Sequence, residues 1–476
     1  MATYDAVIVG SGPNGLAAAI LLAQQGLKVH VIEAEETIGG GTRTKELTES
    51  GFLHDVCSAV HPTAVASPFL SSLPLEKYGL EWIYPEASVA HPLEEGNGIL
   101  GYQSLDKTLE QFGKDAKMYK RLFGDFIENW DSIKYDLFGT LRSVENPLSM
   151  ARFGWYGWLS AKDITNSLFK NPETKALFAG MAAHSILPLD KLFSASFGLV
   201  LTTTMHAVGW PIAKGGSATI TKAMASYLES LDGTIETGNR ITDFTEIPDA
   251  KAVLFDLTPH QITKICSTQL PNAYRKKLNK YKYGPGAFKI DLAVSEPIPW
   301  KNEAIGKAGT VHLGGSFEEI GYSEKQVWQG NHPEKPYVLL SQPSIFDDLR
   351  APKGKHTVWA YCHVPNGSDR DCTEEIVSQI ERYAPGFRDT IIAKHTMTAV
   401  QMNDYNENYI GGDINGGAQF FKQLIGRPVL KWDPYKIPFD GAYICSSSTP
   451  PGGGVHGMCG YHAAKSALKN EFGIEV

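Results

Sequence analysis

The sequence predicts an α/β fold in which a parallel, dinucleotide-binding sheet is assembled from separated parts of the chain. Three observations predict it. A strand, a glycine turn, a helix and a second strand open the chain. Glycine-rich turns leading into helix patterns recur near residues 215 and 453. The stretches between them carry helical and strand periodicity of their own, so an α+β layer and a helical block are expected. With 476 residues the chain is long enough for two or three lobes.

The opening unit is "YDAVIVGSGPNGLAAAILLAQQGLKVHVIEAE". Ala6–Val9 is a short apolar strand, and Leu16–Gln24 reads as a helix that Gly26 ends. Lys28–Ile32 is a second strand, closed by Glu33. Gly10, Gly12 and Gly15 form G-x-G-x-x-G, with Pro13 and Asn14 inside the turn. Gly10 permits the tight turn, Gly12 lets a pyrophosphate reach the backbone, and Gly15 lets helix pack on strand. The helix N-terminus offers free N–H groups to the phosphates. Glu33, 18 residues after Gly15, is placed to accept the ribose hydroxyls.

Just beyond Glu33 comes "EETIGGGTRT". Gly39 and Gly40 followed by Arg43 and Thr44 resemble the G-G-x-x-R-T signature of the glutathione-reductase-like FAD proteins. There the glycine pair lets the chain run beside the cofactor. FAD is therefore the expected cofactor, with Gly40, Gly41, Thr42 and Arg43 against it.

A domain of this kind is discontinuous, and two returns are legible. Gly215, Gly216 and Ser217 open a helix with Ala223, Met224, Tyr227 and Leu228 at helical spacing. "TIETGNRI", which includes Ile241, then reads as a strand, followed by a strand at Ala252–Phe255 and a turn at Thr258–Pro259. The last return is "GAYICSSSTPPGGGVHGM": a strand at Ala442–Cys445, a loop, and a helix from about Val455. Pro451, Gly453, Gly454, Val455, His456, Gly457 and Met458 are expected beside the flavin ring, with helix N–H groups facing its pyrimidine edge.

These segments, with "YGPGAFKIDLAV" and "GRPVLKWDPYK", resemble the phytoene desaturase and carotenoid isomerase-like oxidoreductases of the amine-oxidase superfamily. The likeness is strongest to the branch of pyridine nucleotide-disulfide oxidoreductase domain-containing proteins. It covers nearly the whole chain. It implies a glutathione-reductase-like Rossmann FAD domain, discontinuous, interleaved with an α+β substrate domain and a helical subdomain. The expected boundaries are 1–72, 205–284 and 425–476 for FAD binding, 73–204 for a helical lid, and 285–424 for the second substrate part. Two features set the chain apart. His456 stands where the desaturases have another residue. The six cysteines include no C-x-x-C pair, so disulfide exchange is not expected.

Asp115–Ile133 reads as one helix with Tyr119, Phe123, Phe126, Trp130 and Ile133 on one face, either a core stripe or a tunnel wall. "RFGWYGWLSAKD" sets Phe153, Trp155, Tyr156 and Trp158 beside Arg152 and Lys162, which is compatible with packing, an entrance, or peripheral membrane contact. The alternation of "GAFKIDLAV" puts Lys289 and Asp291 on one strand face. They form either a surface ion pair or, by resemblance to the amine-oxidase lysine that holds a water near flavin N5, a catalytic group. "HTMTAVQMNDYNENYIGGDINGG" reads as a long loop that brings Tyr409 toward the flavin. His184 and His312 are possible polar pocket groups.

The net charge of −8, without a Lys/Arg block, excludes a nucleic-acid surface. No metal-ligand spacing and no G-x-S-x-G elbow occur. The uncharged run Leu192–Ala213 is interrupted by Ser, Thr, His206 and Pro211, and reads as a buried helix rather than a span. "MATYDAVIVG" has no basic n-region, so a cytoplasmic location is expected. The expected activity is hydride transfer from a small apolar, unsaturated substrate to FAD, with Lys289, His456, Asp291 and Tyr409 as catalytic candidates and oxygen or a quinone as electron acceptor. Amine oxidation, and a partner-binding or assembly role with little turnover, are the alternatives.

Overall fold

A computed structural model describes residues 3–94, 98–139 and 144–476. Its first sheet has five parallel strands in the order Ala442–Ile444, Ala250–Phe255, Tyr4–Val9, Val29–Ile32, Thr234–Glu236. Three remote chain segments thus contribute to one sheet. Central strands of a parallel sheet are covered on both faces, which is why Ala6–Val9 and Leu254–Phe255 are wholly apolar and buried. The Pro13–Gln24 helix covers one face together with Ala218–Ser230 and Met458–Ala467. Pro13 starts that helix because its missing N–H would be unpaired there anyway.

The second sheet has seven strands, ordered Ile391–Met397, Gly286–Val294, His356–Val364, Val338–Ser341, Ala308–Leu313, Ala87–Pro92, Gly98–Gly101. All pairings are antiparallel except Ala308–Leu313 with Ala87–Pro92. Phe288, Ile290 and Leu292 pack on Ile376 and Ile380 of the Thr373–Tyr383 helix. The alternate residues Lys289, Trp359 and Tyr361 face the other way, and the two aromatic residues join the core of the helical block.

The helical block differs from the sequence reading in one place. The expected Asp115–Ile133 helix breaks at Asn129, giving Ala116–Glu128 and Trp130–Leu137. Asn129 turns its amide back onto the Asp125 carbonyl at 2.9 Å, a local bond that competes with helix continuation. Tyr119, Phe123, Phe126, Trp130 and Ile133 are all buried, so the stripe is core. The Leu192–Ala213 run forms the Ser194–Val208 helix, ended at Gly209. Among the described residues no helix is long and apolar enough to cross a membrane.

The first part of the expected loop at 395–417 is ordered, as the end of an edge strand, Ile391–Met397, and a helix, Ala399–Tyr405, while Tyr409 lies beyond both. A capping box at Thr398 and Gln401 starts the helix, a local signal that the reading passed over. The strand from "TIETGNRI" ends at Glu236, and Gly238 turns the chain.

One buried cluster ties the layers together. Arg350 pairs with Asp55, and its Nε lies 3.4 Å from Asp347. Asp55 accepts from the Ser217 N–H and hydroxyl and the Thr44 hydroxyl, each at 2.8 Å, and Asp347 accepts from Gly215 N–H at 2.7 Å. Substituting Arg350→Met leaves two buried carboxylates without their cation. A loss of about 3–5 kcal/mol is expected, read as a lowered urea midpoint.

Candidate cofactor cleft and reacting centre

The first glycine turn has the geometry its spacing requires. Gly10 sits at φ +104°, where side chains are disfavoured. A Cβ on Gly15 would fall 2.1 Å from the Gly10 carbonyl oxygen, so strand and helix touch backbone to backbone. Gly10, Gly12, Glu33, Gly40, Arg43 and Ile241 line a cleft of about 210 Å³ at the C-terminal edge of the sheet. This is where open parallel sheets bind ligands.

Glu33 is more heavily engaged than a simple ribose acceptor. One oxygen accepts from Ser11 N–H at 2.9 Å and the Ser11 hydroxyl at 2.5 Å. The other accepts from Glu35 N–H at 3.0 Å and from Arg43 at 3.2 Å. A ribose would displace one of these partners. Arg43 also donates to the Thr37 carbonyl at 2.7 Å, so it braces the loop while lining the cleft. Thr42 is buried and donates to the Gly39 carbonyl at 2.8 Å. Asn14 holds its side-chain oxygen buried, with no partner among the described residues.

The second return lies differently. Gly215, Gly216 and Ser217 do not line the cleft; they belong to the Asp55–Arg350 cluster. Thr258 starts the Pro259–Ile265 helix, and its N–H donates to Asn408 at 2.9 Å. Asn408 in turn donates to the Asp256 carbonyl at 3.0 Å and lines the cleft.

At the third return the helix begins at Met458, not Val455. The delay has a visible cause. Gly457 takes a left-handed conformation, and Met458 N–H donates to His456 Nδ1 at 3.0 Å. Nδ1 is therefore an acceptor, and the proton sits on Nε2, which donates to the Gly452 carbonyl at 3.1 Å. Burial lowers the imidazole to about 4, so it is neutral at physiological pH. His456 is thus occupied in holding the glycine loop to the helix. Gly453 lies against Asn415, Gly454 against Thr63, and the Pro450–Pro451 bond is cis. The Val455 carbonyl accepts from Thr63 at 3.5 Å and the His456 carbonyl from Ser67 at 2.6 Å.

Lys289 and Asp291 are buried and paired, so the surface ion pair is excluded. Asp291 also faces His54 at 3.6 Å and His395 at 3.7 Å. Burial pushes its carboxyl up, but Lys289, with His395 and His54, outweighs this and holds it below the usual range. Burial lowers His54 to about 4 despite the nearby carboxylates. Cys57 feels the Lys289 charge and bonds to the Tyr409 hydroxyl, and burial raises its thiol. That hydroxyl stands 2.5 Å from where a Gly41 side chain would be. Lys289 and Tyr409 therefore meet around Cys57, beside the second glycine motif. His184 and His312 are elsewhere, hydrogen-bonded to each other at 3.0 Å, and burial holds both neutral.

Comparison with known proteins gives the following similarities. Residues 8–73 match the model of the NAD(P)-binding Rossmann-like domain. The chain is 25% identical to pyridine nucleotide-disulfide oxidoreductase domain-containing protein 2 of Mus musculus, over 98% of this chain and 94% of that one. It is 23% identical to the neurosporene-forming phytoene desaturase of Rhodobacter capsulatus, covering 96% and 92%. It is 27% identical to a limonene dehydrogenase polypeptide of Castellaniella defragrans, covering 99% and 95%. Over nearly its whole length the chain is thus similar to oxidoreductases that include the phytoene desaturases. The fold of this oxidoreductase is also that of putrescine oxidase, with a TM-score of 0.61 at 16% identity over 98% of both chains.

The residues present fit FAD. Gly12 lines the cleft, where a side chain would meet Asp256 Oδ2 at 2.6 Å, and the buried Asn14 oxygen in the same turn has no partner among the described residues. Gly10, Gly12 and the start of the Pro13–Gln24 helix would hold the diphosphate, and Glu33 and Ile241 the adenosine end. Sequence reading of this oxidoreductase missed Asp256, Cys57 and Arg427. Asp256 carried a signal, an acid at the end of an apolar strand. Arg427 is buried against Gly452 and bonds Tyr281 and the Gly417 carbonyl, each at 3.2 Å; only the packed loops reveal it.

Proposed function

We propose that this protein is an FAD-dependent dehydrogenase or isomerase acting on an apolar, unsaturated substrate. One observation carries the reading: Lys289 and Asp291 cancel each other's charge on a buried, aromatic sheet face, so that this face carries no net charge. Relatives named for phytoene and limonene support that substrate class. When bound, the flavin supplies a two-electron acceptor at N5.

The chain's own residues position and seal. Asp291 orients the Lys289 ammonium, which supplies a fixed donor beside Cys57 and Tyr409. Trp359 and Tyr361 exclude water, which strengthens that charge. His456 is a positioning residue that fixes the 452–458 turn. Oxygen or a quinone takes the electrons. Leu148, Trp155 and Trp158 are exposed near Arg152, which supports contact with a lipid surface that would deliver an apolar substrate.

Amine oxidation is the competing reading. Trp359 and Tyr361 stand beside Lys289 with ring centroids 5.2 Å apart at 81°, an aromatic wall that could also face a cation. Anaerobic mixing with cyclic terpenes, short polyenes and diamines decides between them. Bleaching of the flavin absorbance by an alkene and not by putrescine is expected. Bleaching by amines alone sinks the alkene reading.

A further inference from the structure

Asp256 directly follows the Ala250–Phe255 strand beside the opening strand, and its side chain stands in the phosphate cradle. Its Oδ2 accepts from Gly15 N–H at 3.0 Å. A side chain on Gly12 would meet the same oxygen at 2.6 Å. The carboxyl thus fills the donor position that the glycine turn offers to a diphosphate, and it lines the cleft. Two anions in one such cradle repel each other.

Of the cations around the cleft, Arg43 and Arg240 are already paired, and Lys264 has no salt bridge among the described residues. Glu33 adds negative charge from the end of the Val29–Ile32 strand, two strands away. Arg43 is committed to Glu33 and the Thr37 carbonyl. Arg240, on the cleft wall, is paired with Glu35 and Glu407, and Lys264 lines the same cleft. Cys445 and Cys459 face Asp256 from the last strand and the last helix, and burial raises both thiols, so they add no charge. Asn408 donates to the Asp256 backbone, not to its carboxyl.

We propose that Asp256 is a proton-linked gate on cofactor loading: FAD binds with Asp256 protonated, so binding takes up one proton from solvent. In that form one oxygen keeps the Gly15 N–H and the O–H donates to a phosphate oxygen. Burial, reinforced by Glu33, raises the carboxyl to about 7, although the Gly15 and Gly12 N–H groups pull it down. The carboxylate form, which opposes the diphosphate, therefore dominates above neutral pH. The proposal rests on FAD as the resident cofactor and is independent of the substrate class.

The test is titration of flavin-stripped protein with FAD, followed by flavin fluorescence, from about pH 6 to about pH 8.5. The Kd should be nearly flat on the acid side and then rise about tenfold per pH unit. Asp256→Asn keeps an acceptor for Gly15 and gains a donor for phosphate. Its Kd should be flat across the range and lower than that of the unaltered protein at the alkaline end. Calorimetry in two buffers of different ionisation heat should show uptake of about one proton on the alkaline side. A pH-independent Kd, or the same dependence in Asp256→Asn, overturns the gate. Should that variant not fold, absence of proton uptake by the unaltered protein overturns it. Failure to bind FAD at any pH instead removes the cofactor assignment.

Discussion

Replacing Gly15 by alanine is expected to yield protein without flavin. The new Cβ would lie 2.1 Å from the Gly10 oxygen and 3.2 Å from the Asp256 Cβ. Neither the strand nor the helix can yield alone, because both are buried in one apolar core. Overpacking of this kind costs about 1–3 kcal/mol or more. Moving the turn also takes N–H groups away from the diphosphate, and each hydrogen bond to a charged group contributes about 1.5–3 kcal/mol. FAD affinity should fall at least about a hundredfold. Gly26→Ala is the control. Gly26 has φ +75° but nothing within 4 Å of a built Cβ, so it adds only local strain. It should cost about 1–2 kcal/mol and keep the flavin. The ratio of flavin to protein absorbance, with thermal melts of both variants, checks this. Flavin retained at full occupancy in Gly15→Ala would remove the cradle from the FAD site.

The second large effect is at Lys289. Lys289→Met leaves Asp291 buried without its cation, since His54 is neutral. A destabilisation of about 3–5 kcal/mol is expected. Removing both charges in Lys289→Met/Asp291→Asn should restore much of it, because the penalty belongs to the lone charge. The pH dependence has a definite sign. The Asp291 carboxyl is held below its ordinary value in the fold. Its contribution is therefore complete above about pH 4 and lost as pH falls through the lower, folded value. The single variant should lose that acid-side component. If the double variant regains stability but reduces its flavin no faster than Lys289→Met, Lys289 acts on the reaction itself. Equal recovery of stability and rate would make the pair purely structural.

The opening unit was legible because its signals are local. Three glycines, two apolar runs and an acid within 33 residues specify strand, turn and helix before any tertiary contact exists. The alternation in "GAFKIDLAV" was equally local, so Lys289 and Asp291 share a face as expected. Whether that face met water was not local. It depends on the helical block that packs over Trp359 and Tyr361. The start of the long loop expected around Tyr409 was misread because an edge strand needs a partner to pair with, and that partner is Gly286–Val294.

His456 and Asp256 show the same division from opposite sides. The glycine run was correctly read as a close approach, but the start of the helix was set by a bond from Met458 to the His456 ring. Asp256 looked like the end of a strand; its reach to Gly15, 241 residues away in the chain, exists only because two parallel strands lie side by side. The sequence by itself determined the dinucleotide-binding class and the shared face of Lys289 and Asp291, since these follow from short-range spacing, and its resemblance to a known signature gave the cofactor. Only the tertiary structure decided which charges are sealed together and which carboxyl enters the phosphate cradle, since burial and pairing depend on what the rest of the chain places alongside.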